Sequence, residues 1–153
     1  MISTPSCGPV PRATGKQGAL LAFALVILVL VPLRAPAARP GVIIQVDDAS
    51  LHTWRIALAN TTNLLAAERV AHPHPHIEII ALGRAAMMLR KKAPYWKKVL
   101  ALHKQGLQIT ACLSDLRRLH LHKADMSPAV HYIPSGIAEI VRRKREGWAY
   151  VQP

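Results

Sequence analysis

One cysteine stands at the centre of what this chain could do chemically. Cys112 follows the apolar run Leu107-Gln108-Ile109-Thr110-Ala111 and precedes Ser114 and Asp115, which suit the start of a helix. A residue where a parallel strand gives way to a helix lies outside the C-terminal end of the sheet, where open α/β folds form their ligand crevices. The partial positive charge of a helix N-terminus favours the thiolate, the nucleophilic form of cysteine. Arg117 and Arg118 lie one turn on and act in the same sense; Asp115 opposes them. The plain alternative is a buried structural cysteine behaving as a small hydrophobe. His120 and His122 lie close in sequence, and either could orient a thiolate or take its proton. Each is equally at home as a surface histidine.

A second group is His72, His74 and His76, alternating with Pro73 and Pro75. Residues two apart in an extended chain point the same way, so three imidazoles could face a transition metal such as Zn or Cu. A solvated, proline-stiffened connector explains the same residues, and no neighbouring cysteine or carboxylate completes a ligand set. The basic runs are Arg90-Lys91-Lys92 with Lys97-Lys98, and Arg142-Arg143-Lys144-Arg145. Tyr95 and Trp96 flank one, Trp148 and Tyr150 the other. Basic charge beside aromatic rings is a signature of single-strand nucleic-acid binding. Cations at the ends of solvated helices are the plainer reading.

The elements that must position these residues alternate strand with helix. Val42 to Val46 is an almost continuous apolar run, as expected of a strand buried on both faces. A helix capped by Asp48 or Ser50 follows to about Val70, with Leu51, Trp54, Leu58 and Leu65 on one face. Ile77 to Leu82 is the second strand, broken by Gly83, and Arg84 to Leu89 suits a short helix. Pro94 fits the first turn of the next helix, with Tyr95, Val99 and Leu102 inward and Gly106 just beyond its end. The third strand then delivers Cys112, and Ser114 is expected to cap a short helix from Asp115. Val130 to Ile133 is a fourth strand. Pro134-Ser135-Gly136 opens a last helix with Ile137, Ile140 and Val141 inward, and Trp148 to Val151 alternates like an edge strand. Connections too long for hairpins predict a three-layer α/β/α sandwich with a mainly parallel central sheet of about five strands.

The chain has 153 residues, a net charge of +12 and two cysteines. That excludes a disulfide-dense scaffold and a four-cysteine zinc site. Residues 1–40 differ from the rest. Arg12 and Lys16 precede an uncharged run, Gly18 to Val31, and Ala35-Pro36-Ala37 follows with small residues at the expected cleavage positions. This is the pattern of a secretory signal peptide. The alternative is an uncleaved anchor, although 14 helical residues reach only about 21 Å of a ~30 Å hydrocarbon core. Residues 1–37 are therefore read as a signal peptide or membrane anchor, 38–41 as a linker, and 42–153 as one α/β domain. The expected location is periplasmic or otherwise extracytoplasmic, or anchored at the inner membrane if the leader stays. Four of the 20 Lys and Arg lie before residue 41, as does Cys7. The domain keeps a lone thiol, and nucleic acid is not an expected partner of an exported protein. Phosphate-binding glycine loops, a G-x-S-x-G elbow and H-E-x-x-H are all missing from the sequence, and no cofactor is expected.

Several stretches in order resemble the DsrE/DsrF-like family, a group of small α/β sulfur-relay proteins. They are VIIQVDDASLHTWRIALANTTNLL, IEIIALGRAAMML, KQGLQITACLSDLRR and VHYIPSGIAEIVRRKREGWAYVQP, together covering most of residues 42–153. The resemblance implies a three-layer domain that forms trimers or hexamers. It also implies a cysteine, here Cys112, that carries sulfane sulfur as a persulfide and passes it to a partner thiol in sulfur oxidation or relay. Gly83, Ser114, Pro134 and Gly136 correspond to positions that shape the pocket. The other function compatible with the same fold is a non-catalytic oligomeric protein that binds a small ligand or a metal.

Overall fold

The computed structural model describes residues 40–153, together with Gly8. The leader read in residues 1–37, with Cys7 and the cleavage motif, lies outside the described residues, as do the first two residues of the linker. Among the described residues no helix is long and apolar enough to cross a membrane.

Among the described residues, five strands and four α-helices alternate. They are β1 (Val42–Val46), α1 (Leu51–Ala71), β2 (Ile77–Ala81), α2 (Trp96–Lys104), β3 (Gln108–Cys112), α3 (Leu113–Arg118), β4 (Val130–Ile133), α4 (Gly136–Arg145) and β5 (Ala149–Val151). Short 3₁₀ segments at Gly83–Leu89 and Lys123–Asp125 fill two of the connections. All strand pairings are parallel, and the order across the sheet is β4-β3-β2-β1-β5. The chain lays β1 to β4 side by side, then returns across the whole sheet to add β5 beside β1. Because crossovers are right-handed, reversing the direction of travel moves the connecting helix to the other face.

The two cores follow from this. On one face Trp54, Leu58 and Leu65 of α1, Val99 and Leu102 of α2 and Leu116 of α3 pack on Ile44, Val46, Ile77, Ile79 and Ile109. On the other, Ile140 of α4 and Trp148 meet Ile43, Ile80, Leu82, Cys112 and Ile133. Alternate residues of each strand feed opposite cores, so the central strands read as nearly unbroken apolar runs. The fold is the expected three-layer α/β/α sandwich.

Local details differ from the sequence reading where tertiary contacts override pattern. Ser50 caps α1, its Oγ accepting from the Thr53 amide at 3.0 Å, but Leu51 is exposed at the first helical position. Pro94 lies outside α2, whose N-cap is Tyr95. Gly106 does follow α2 with φ +97°, as a helix-terminating glycine should. Ser114 does not cap α3. β3 runs straight into that helix, so the cap position falls on Cys112, and Ser114 sits within the first turn. Along α4 only Ile140 of the three expected apolar residues is buried; Ile137 and Val141 face outward. The inward stripe of α4 is Gly136, Ile140 and Arg143, spaced four and three apart. Gly136 allows close approach to Leu82, and Arg143 reaches Glu78 on β2.

That last contact anchors a buried polar cluster. Glu78 is fully buried, and its Oε1 accepts from the Thr110 hydroxyl at 2.6 Å and the Gln108 amide at 3.1 Å. Its Oε2 lies 3.2 Å from Nε of Arg143, which also pairs with Glu139 at 2.8 Å and stacks over the Trp148 ring. Burial raises the Glu78 pKa above the ordinary glutamate range, against the opposing pull of Thr110 and Arg143.

Candidate functional site

β2 and β3 end side by side, and the start of α4 passes over them. Between these ends lies a cavity of about 270 Å³, lined by Leu82 and Gly83 after β2, by Cys112, Ser114, Asp115 and Arg118, and by Ser135, Gly136 and Ile137 of α4 and its cap. Cys112 is the final residue of β3, paired in register with Ile133 of β4. Its side chain is buried, yet the residue lines this opening. The Ser114 Oγ lies 2.8 Å from Cys112 Sγ, and the thiol donates weakly to the Pro134 carbonyl at 3.8 Å. The hydroxyl can turn its proton towards the sulfur once the thiol has lost its own, so the site holds a ready donor for a thiolate.

The walls are fixed by specific residues. Gly83 takes φ +51°, a left-handed conformation that side-chain-bearing residues rarely adopt, and so turns the chain sharply off β2. Its amide donates to Asp115 Oδ2 at 2.8 Å, tying the turn to α3. The other oxygen of Asp115 pairs with Arg118. Ser135 caps α4, its Oγ accepting from the Ala138 amide at 3.4 Å. A Cβ on Gly136 would overlap Leu82 Cδ2, so the glycine sets how closely α4 approaches the strand ends.

Of the residues singled out from sequence, Cys112, Gly83, Ser114 and Gly136 line this cavity together, and Pro134 contributes its carbonyl beside the sulfur. His120 and His122 do not line it. His122 instead joins Asp125 in capping a 3₁₀ turn. His72, His74 and His76 line a different cavity of about 340 Å³ with Glu68 and Gly41. It lies beside Val42 and Ile77, the first residues of β1 and β2, and so at the opposite end of the parallel sheet from Cys112. Among the described residues no three or more His, Cys, Asp or Glu side chains converge as a metal site. Sequence reasoning missed Leu82 and Ile137 as walls and saw Asp115 as the start of a helix and an opposing charge. The sole signal for Asp115 was an acid one turn into a helix beside a strand-end glycine, which does not reveal a bond between them.

No family model matches the chain, and no curated protein matches it. Solved structures do. The domain is similar to a protein of unknown function, MTH1491, from Methanobacterium thermoautotrophicum, with 30% identity and a TM-score of 0.70, over 75% of this chain and 100% of that one. It is similar to the YchN protein of E. coli at 12% identity and a TM-score of 0.60, over 75% of this chain and 100% of that one. It also resembles a conserved protein of unknown function, BT1422, from Bacteroides thetaiotaomicron, at 15% identity and a TM-score of 0.60, over 78% of this chain and 99% of that one. YchN has the DsrE-like fold expected from the sequence, and the two distant neighbours speak to fold alone. The identity to MTH1491 over its full length carries more: this chain belongs to the same family as MTH1491, built on the DsrE-like fold.

Proposed function

We propose that the domain is a sulfur carrier, or sulfurtransferase, that holds sulfane sulfur as a persulfide on Cys112. The observation that carries this reading is a lone thiol at the end of β3, bordering a 270 Å³ cavity with the Ser114 hydroxyl 2.8 Å from its sulfur. In the loading step the Cys112 thiolate attacks the sulfane sulfur of a donor such as thiosulfate. A new S–S bond forms at Cys112, the donor's S–S bond breaks, and sulfite leaves with the electron pair. In the unloading step an acceptor thiolate attacks the outer persulfide sulfur and releases the Cys112 thiolate. The Ser114 hydroxyl stabilises the negative sulfur before loading and after release. The same proposal has residues 1–37 export or anchor the domain outside the cytoplasm, and the domain working as a trimer or hexamer.

Mass spectrometry of the full chain after incubation with thiosulfate or polysulfide tests the carrier role. The expected result is a gain of the mass of one sulfur atom, mapped to the Cys112 peptide and lost on treatment with a reducing thiol. A chain that gains no sulfur at Cys112, under conditions that load an established relay protein, overturns it.

A further inference from the structure

We infer that the approach to Cys112 is an anion-binding groove, and that the sulfur donor is a small anion such as thiosulfate or a polysulfide. The Cys112 cavity shares Gly83, Asp115 and Arg118 with a neighbouring hollow of about 240 Å³. That hollow shares Arg84 with a third, of about 400 Å³, lined by Arg90, Lys91 and Lys92. The three lie in succession from Cys112 to the basic segment after the first 3₁₀ turn, and together they make up the trough.

The charges along this trough are one-sided. Asp115 is its single lining carboxylate, and it is already engaged by the Gly83 amide and Arg118. Among the described residues no carboxylate lies within ion-pairing distance of Arg84, Arg90, Lys91 or Lys92. The nearby acids at the end of β1 do not line the trough. Asp47 accepts from Gln152 at 2.8 Å, and Asp48 from Thr53 at 3.3 Å. Nor is the basic segment a free tail. Arg90 bridges to Met126, the Lys91 amide donates to the Asp125 carbonyl at 2.9 Å, and Lys92 is held at φ +64°. Four exposed cations, three of them on a backbone held in this way, stand around a concave surface and raise a positive potential along it. At about 270 Å³ the hollow at Cys112 has the size for an ion of a few heavy atoms, which with the one-sided charge points to a small anion.

The inference rests on the carrier reading only for what the anion delivers; the binding itself does not need it. The test compares the rates at which anionic iodoacetate and neutral iodoacetamide alkylate Cys112 in the full chain, read by peptide mapping. Relative to glutathione, the iodoacetate-to-iodoacetamide ratio should be raised about tenfold at low salt. It should fall towards the glutathione value at high salt, in Arg84→Gln, and in a Lys91→Gln/Lys92→Gln double variant. Thiosulfate should protect Cys112 from iodoacetamide. A ratio equal to that of glutathione, a ratio unchanged in both variants, or a thiol that neither reagent reaches overturns the groove. Protection by polyglutamate but not by thiosulfate overturns the small anion in favour of an acidic polypeptide. A raised ratio without sulfur loading would leave the groove standing and the carrier fallen; loading with an ordinary ratio would do the reverse.

Discussion

Gly136→Ala probes the closest contact in the site. The added methyl would stand inside van der Waals distance of Leu82 Cδ2, with Ile80 Cγ2 at 3.5 Å closing the space behind. Leu82 is 8% exposed, so it cannot swing into solvent without leaving its core. Forcing one methyl into such packing costs about 1–3 kcal/mol. Replacing glycine at a helical φ returns about 0.4–1 kcal/mol by restricting the unfolded chain. The net is a loss of about 1–2 kcal/mol, which moves a urea midpoint down by roughly 0.5–1.5 M at ordinary denaturant sensitivity. Leu82→Ala alone should cost about 2–5 kcal/mol, the usual range for truncating a buried leucine. The double variant carries the decisive result. With Leu82 truncated the new methyl has room, so the pair should be less destabilised than the two singles together by about 1–2 kcal/mol. The assay is urea unfolding of the full chain followed by far-ultraviolet circular dichroism. A Gly136→Ala protein as stable as the parent refutes the reasoning, and so do losses that add to within about 0.5 kcal/mol.

Two further outcomes follow from the polar groups. Burial raises the Glu78 pKa, so the protonated form favours the fold, and the stability it gives is lost as pH climbs from the ordinary glutamate value of 4.5 through the raised one. Relative to the parent, Glu78→Gln should therefore gain stability as pH rises across that interval, measured as the difference between their urea midpoints; a pH-independent difference would count against it. Asp115→Ala strips the Gly83 amide of its acceptor and should cost about 1–3 kcal/mol. Asp115→Asn, which can still accept, should cost less and keep the Gly83 amide protected in hydrogen exchange; equal loss of protection in both variants would contradict the proposed bond.

The sheet was legible because three of its strands are buried on both faces. Val42–Val46, Ile77–Ala81 and Gln108–Cys112 read as short apolar runs punctuated by glycine, proline or charge. Cys112 was legible for the same reason, since a thiol at the end of such a run falls at the end of a strand. The inward face of α4 was not. Ile137 and Val141 satisfy a helical pattern, but this helix lies against a sheet face that offers Leu82 and Glu78, and these select Gly136 and Arg143 instead. Glu78 itself is a single acid inside Ile77-Glu78-Ile79-Ile80-Ala81, and its partners come from β3 and α4. The Asp115–Gly83 bond joins α3 to the start of the first 3₁₀ segment, 32 residues away, a distance over which local spacing carries no information.

The crossing from β4 back to β5 also fixes an order of events. Synthesis delivers β1 first and its outer neighbour last among the strands, with Gln45 and Tyr150 joined across 105 residues. Until then β1 shows an unpaired edge along Val42-Ile43-Ile44-Gln45-Val46, an uncharged stretch rich in β-branched residues and suited to pairing with another chain. Three exposed residues, Ala149–Val151, cover part of that edge in the finished domain. Removing them would leave the residues around Cys112 in place while turning the first strand into a template for aggregation. β5 is thus a guard on the edge of the finished sheet more than a contributor to the core.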